Sequence, residues 1–141
     1  MKFTWLHLSD LHAGMRDEEY FFPSVRKDLF ADLEHLLNKT GQVDLVLFTG
    51  DLAYRGSQED YAKAEKILNR LCQGLKKISG NEPRLAVVPG NHDLERPNDT
   101  NELARLKLLS DNVQIQCKFW HEDDSSLRKT VEKMFRGYTE W

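Results

Sequence analysis

Three short loops carry residue types that bind cations and move protons: Asp10-Leu11-His12, Gly50-Asp51 and Gly90-Asn91-His92-Asp93. Each follows a strand-like apolar run, and the intervals between them are nearly equal. In an open sheet with helical crossovers, ligands collect outside the carboxyl ends of the strands, so loops far apart in sequence converge on one crevice. Carboxylate, amide and imidazole donors gathered there suit Mn²⁺, Fe or Zn²⁺, and the absence of cysteine from all three loops disfavours a thiolate-rich structural zinc site. Taken singly, Asp10, Asp51 and Asn91 are ordinary capping and turn residues. Their occurrence in register, each after a strand, is what argues for a metal site.

The elements that must position these loops follow from periodicity. Residues 3–9, 43–49 and 84–88 read as strands, the last closed by Pro89. Between the first two, Pro23-Ser24 opens a helical pattern with Val25, Leu29, Leu33, Leu36 and Leu37 on one face, and Gly41 suits a left-handed C-terminal cap. Between the second and third, Ser57 caps a helix carrying Tyr61, Ala64, Ile67, Leu68, Leu71 and Leu75. The product is an α/β chain that begins β-α-β-α-β, an order that winds almost always right-handed into a parallel sheet.

Beyond Asp93 the pattern weakens. Glu95 to Asp99 is a polar turn, Thr100 to Leu109 a helix, and Glu122-Asp123-Asp124 a solvated turn. A second helix runs from Ser125 or Ser126 to Gly137, with Leu127, Val131, Met134 and Phe135 on its apolar side, and the aromatic end at Trp141 is expected to lack a partner. His7 alternates with Trp5 and Ser9 and is expected to be a hydrogen-bonded core residue; His35 reads as a solvated helix residue, and His121 stands alone.

A chain of 141 residues, 30% charged and with a net charge of −3, is of ordinary size for one soluble domain with a real core. Nothing in that charge supplies an overall basic field for nucleic acid, although a local basic groove is compatible with it. The motif-bearing segment starts at once after Met1, leaving no room for a signal peptide, and no apolar run reaches membrane-spanning length, so a cytoplasmic, non-membrane protein is expected. With two cysteines and no secretory signal, Cys72 and Cys117 are expected as reduced thiols.

The string Asp-x-His, Gly-Asp, Gly-Asn-His-Asp resembles that of the calcineurin-like metallophosphoesterases, and so does its context: Leu6 to His12, Asp44 to Ala53 and Val87 to Asp93. The resemblance covers residues 1–95. It implies the N-terminal half of a metallophosphoesterase sandwich, with sheets flanked by helices, and makes residues 96–141 a divergent helical excursion or cap, the chain being cut within a larger protein. The family pattern continues with an isolated His and a Gly-His-x-His, neither of which follows here.

By the same resemblance, Asp10, His12 and Asp51 hold one divalent ion, while Asp51 bridges to a second that also takes the Asn91 side-chain oxygen and histidines outside this chain. Mn²⁺ is the first expectation, with Fe or Zn²⁺ as alternatives. His92 faces the substrate and stabilises or protonates the leaving oxygen, and Asp93 orients it from behind. The implied activity is hydrolysis of a phosphodiester or phosphomonoester by a water activated at a dinuclear site. The stretch Gly50 to Gly56, followed by Tyr61, looks more like bacterial phosphodiesterases of the cyclic-nucleotide type, and like metallophosphoesterase modules in large multidomain proteins, than like the repair-nuclease branch. A DNA or RNA nuclease of the same fold, and a non-catalytic binding or scaffolding module, remain as alternatives. Lacking the later histidines, residues 1–141 alone are not expected to be a competent enzyme.

Overall fold

A computed structural model describes residues 2–16, 18–122 and 125–141, and of residues 18–24 only the backbone. Three parallel strands, β1 (Trp5–Leu8), β2 (Leu45–Thr49) and β3 (Arg84–Val88), lie in the order β1-β2-β3. Trp5 pairs with Leu45, and Leu45 with Arg84, so the three strands end together and deliver their following loops to one edge. Reciprocal bonds anchor the register at the opposite edge: Thr4 N donates to Asp44 Oδ2 and Asp44 N to the Thr4 carbonyl, each at 2.8 Å.

The crossovers are α1 (Glu18–Thr40) and α2 (Gln58–Ser79). The β-α-β-α-β expectation is met, although α1 begins five residues ahead of Pro23. Ser57 caps α2 as expected, its hydroxyl accepting from Asp60 N at 3.2 Å, and Gly41 closes α1 in the left-handed region, donating to the Leu37 carbonyl. Both helices cover the same face of the sheet: Leu33 and Leu37 of α1 and Leu71 and Leu75 of α2 pack together on Val46. A second cluster, Phe48, Leu52, Ala53, Tyr61, Ala64, Ile67 and Leu68 with Ala13, lies directly beneath the motif loops.

The opposite sheet face has no helix over it among the described residues, and this decides several side-chain environments. Phe3, Trp5 and Val88 are 67%, 55% and 49% exposed. His7 is hydrogen-bonded as expected, with Nε2 2.6 Å from Thr49 Oγ1, but it is exposed rather than in the core and stacks on Trp5. On α1, Val25 and Leu36 are likewise exposed, so the buried stripe is narrower than the expected one.

Downstream, α3 (Thr100–Asp111) matches expectation, whereas α4 (Val113–His121) was not anticipated. Its signal was Asn112, whose side-chain oxygen accepts from Gln114 N and Ile115 N in an N-cap. The expected final helix is two, α5 (Ser126–Met134) and α6 (Arg136–Glu140), broken at Phe135. Asp123 and Asp124 lie outside the described residues. Contrary to expectation, the aromatic end has a partner: Trp141 stacks on Tyr61 at 5.5 Å, and Tyr138 Oη donates to the Val87 carbonyl. Among the described residues no helix is long and apolar enough to cross a membrane. Neither Cys72 nor Cys117 is in a disulfide.

Candidate metal centre

The first two motif loops run side by side past the ends of β1 and β2. Asp10 N donates to the Gly50 carbonyl, His12 N to that of Asp51 and Ala13 N to that of Leu52, and Tyr54 N returns to the Ala13 carbonyl at 2.9 Å. These bonds hold an unusual backbone. Asp10, His12 and Asp51 have φ of 60°, 49° and 56°, and they are the non-glycine residues with positive φ among the described residues. L-residues adopt that region at a cost, and such strain concentrates where a site requires a particular aim of side chains. All three belong to the donor set expected from sequence.

The side chains converge accordingly. His12 Nε2 lies 3.8 Å from Asp10 Oδ1 and 4.0 Å from Asp51 Oδ2. Donor atoms of His12, Asp51 and His92 all lie within 4.8 Å of one another. These separations are too long for hydrogen bonds. Neighbouring donors that share an ion at bonds near 2.1 Å lie roughly 3–3.5 Å apart, and these separations approach that range. His12 Nδ1 is buried without a hydrogen-bond partner. A half-buried imidazole set between two carboxylates is a donor set that fits a divalent cation. The third loop is drawn in by Asp51, whose Oδ1 accepts from His92 N at 2.9 Å. Gly90 permits this approach, because a Cβ there would overlap the Asp51 carboxylate.

Asp10 stands at the outer side of the group, 66% exposed in its side chain. Asn91 is exposed at the rim of a cleft beside His92. Thus Asp10, His12, Asp51, Asn91 and His92 meet at one edge of the sheet, as expected. His121, at the end of α4, is exposed and is not in this group.

His92, expected to face the substrate, has a ring nitrogen within 4.8 Å of donor atoms of His12 and Asp51, and its ring meets that of His12 edge-on at 4.7 Å. One role differs from expectation. Asp93 was expected to orient the His92 ring. Instead His92 Nδ1 lies 3.0 Å from the Tyr54 carbonyl, and Asp93 is fully buried beneath the loops. Asp93 accepts from the amides of Leu52, Ala53 and Gly90 and from Tyr61 Oη. The reason is supply and demand: three turning loops leave backbone N–H groups without sheet partners, and one ionised carboxylate can satisfy several. Asp93 is therefore a positioning residue that ties the third motif to the second. Burial first, and then the Asp93 charge, push the Tyr61 phenol far above its ordinary pKa, so it stays a donor.

Sequence reasoning missed Tyr54 and Asp60. Tyr54 gives its carbonyl to His92 and stacks its ring on the imidazole at 5.7 Å. Asp60, buried in the first turn of α2, accepts from Arg55 N at 3.0 Å and lies against Gly14, so it braces both upstream loops.

The profile of the calcineurin-like phosphoesterase family matches residues 3–137. The chain is 27% identical to an uncharacterized metallophosphoesterase-like protein of Bacillus subtilis, over 95% of this chain and 30% of that protein. It is 30% identical to the DNA double-strand break repair protein Mre11 of Methanocaldococcus jannaschii, over 79% of this chain and 28% of the relative. It is 32% identical to a cAMP/cGMP dual specificity phosphodiesterase of Mycobacterium tuberculosis, over 75% of this chain and 30% of the relative. The chain thus spans about three tenths of the length of these relatives. With the family's motifs meeting at one sheet edge and its profile covering nearly the whole chain, this protein belongs to the calcineurin-like phosphoesterase family.

Proposed function

We propose that this chain is the N-terminal part of a metal-dependent phosphodiesterase whose site holds two divalent ions, Mn²⁺ first among them. The observation that carries the reading is the convergence of Asp10, His12 and Asp51 in left-handed backbone, with His12 Nε2 aimed between the two carboxylates. Asp10, His12 and Asp51 hold the first ion. Asp51 and Asn91 contribute to the second, whose remaining ligands come from outside residues 1–141. When bound, the ions supply the positive charge that activates water and stabilises the phosphoryl oxygens.

The chain's own residues account for the rest. A carbonyl oxygen only accepts, so the Tyr54 carbonyl keeps a proton on His92 Nδ1 and leaves Nε2 as the nitrogen that exchanges a proton. His92 in its protonated form gives that proton to the leaving oxygen of the ester. Tyr54 stacked on one side and His12 edge-on to the ring keep the imidazole from turning. Asp93 holds the Gly90 and Leu52–Ala53 backbone that fixes where Asp51 and His92 stand.

The test is turnover of bis(4-nitrophenyl) phosphate by the full-length protein, stripped with chelator and reloaded with Mn²⁺. Activity restored by metal supports the reading, and a fully loaded protein without turnover contradicts it. The presence of Mre11 among the relatives makes oligonucleotide cleavage the second arm of that assay. Residues 1–141 alone are proposed to bind about one metal ion or fewer and to turn over negligibly, because two protein ligands hold a second cation poorly.

A further inference from the structure

The cleft beyond His92 has a composition that the metal chemistry does not account for. It encloses about 400 Å³, the size of a small-molecule site, and its walls include Tyr54, Arg55, Asn91, His92, Glu95 and Arg96. Arg55 and Arg96 are both exposed, and neither guanidinium is ion-paired among the described residues; Arg55 lies 5.5 Å from the Tyr54 ring centroid. Glu95 is the carboxylate of the lining, and its charge also acts weakly on Arg136, whose ion-pair partner is Glu140.

The two walls are fixed to each other. The Arg55 amide is held by the buried Asp60 carboxylate at 3.0 Å, and that of Tyr54 by the Ala13 carbonyl. Next in sequence, Gly56 has φ +69°, and a Cβ on it would lie 2.6 Å from Leu94 C and 2.7 Å from the Asp93 oxygen and Glu95 N. The loop bearing Arg55 therefore touches, backbone against backbone, the loop that leads into Arg96. Glu95 N in turn donates to the Met134 carbonyl at 2.9 Å, which anchors the second wall to the end of α5. Coupled loops thus bring two exposed guanidiniums to one cleft, and planar forks of this kind match carboxylate and phosphate oxygens in pairs.

We infer that this cleft is the leaving-group subsite, and that Arg55 and Arg96 select phosphodiesters whose leaving alcohol carries a second anionic group, an inference that rests on the phosphodiesterase reading above. As the ester P–O bond breaks, its electron pair stays on the leaving oxygen, which takes the His92 proton. The entering water oxygen forms the new bond to phosphorus and releases its own proton to solvent. The departing alcohol must lie on the cleft side of His92, where the two arginines meet its anionic substituent. A volume of about 400 Å³ has room for a small leaving alcohol.

The experiment compares methyl 4-nitrophenyl phosphate with its 3-carboxy derivative, whose leaving phenol bears a carboxylate, in the Mn²⁺-loaded full-length protein and in its Arg55→Ala, Arg96→Ala and Arg96→Lys variants. The expected result is a fall of about 10- to 100-fold in the ratio of kcat/KM for charged over neutral ester in each alanine variant, the usual worth of a charge-assisted hydrogen bond. That fall is expected to lie in KM, and Arg96→Lys to recover part of the ratio. Ratios that stay constant across the variants overturn the inference, as does an equal loss on both esters. Binding of the free leaving product, 5-hydroxy-2-nitrobenzoate, is followed in parallel by chemical shifts of the arginine side chains. If neither ester is hydrolysed, the phosphodiesterase reading fails, and product binding that weakens in both alanine variants still upholds the anion site; its indifference to them overturns it.

Discussion

The carboxylate of Asp93 and the backbone amide of Ala53 are joined by a 2.8 Å hydrogen bond in the fully buried floor of the site. Through this bond and those from Leu52, Gly90 and Tyr61, a single side chain ties the second and third motif loops together. The position of His92 is thus set by its sequence neighbour through the backbone rather than through ring contact.

Asp93→Asn turns one acceptor oxygen into a donor that faces backbone N–H groups, leaving at least one amide unsatisfied in the interior. The expected cost is about 3 kcal/mol of stability, against about 1 kcal/mol for Tyr61→Phe, which removes a neutral donor. Urea denaturation with unchanged m-values measures both. Equal midpoints for Asp93→Asn and the parent protein would remove the floor from this account.

Gly90→Ala places a methyl group on the Asp51 carboxylate and against its backbone N, so Asp51 must shift from the position it holds beside His12. Metal affinity is expected to fall at least about tenfold, as it commonly does when the groups that orient ligands are disturbed. Titration with Mn²⁺ checks it, and an unchanged affinity would mean that the close approach of Gly90 to Asp51 is incidental.

Asp44 carries an acid-side linkage. The Thr4 amide first, and then the Gln42 side chain, lower its pKa below the ordinary value of 3.8. Because the folded value is the lower one, its contribution is fully present above the ordinary carboxylate range and is lost as pH falls through the folded pKa. The stability gap between the parent and Asp44→Asn is therefore expected at pH 7 and to vanish below the folded pKa. Denaturation midpoints at both ends of the range decide it, and a gap that persists in strong acid would assign the effect to packing.

The two thiols should separate by reactivity. Burial, and then Glu82, raise the Cys72 pKa, whereas Cys117 is exposed on α4. A thiol reagent near pH 8 is expected to label Cys117 first, since the thiolate is the reacting form and access is required. Mass spectrometry of the labelled peptides reads the order, and faster labelling of Cys72 would contradict the packing of α2.

Much of this was legible in the chain because local rules and global fold agree there. The strand and crossover pattern follows from apolar runs closed by Gly50 and Pro89, and the buried stripe from Tyr61 to Leu75 from helical spacing. The donor residues were legible because each follows a strand whose end the parallel register brings to one edge. What escaped depends on neighbours that sequence does not reveal. Alternation put His7 on a sheet face but carried no sign that this face has no helix over it among the described residues. The Tyr54 carbonyl beside His92 is a backbone contact, invisible in side-chain types. The same holds for Asp93, whose partners are mostly amides, and for Trp141, whose stacking on Tyr61 joins residues eighty positions apart.

Metal content measured beside kinetics in Asp51→Asn and His92→Ala of the full-length protein tests the central claim most directly, because both residues lie in one group of donor atoms. Asp51→Asn is expected to lose metal and activity together. His92→Ala is expected to keep its metal and lose about 10²–10⁴-fold in rate, the usual worth of positioned acid-base help. Equal metal loss in the two variants would contradict the account, since it would make His92 a ligand rather than the group that delivers the proton.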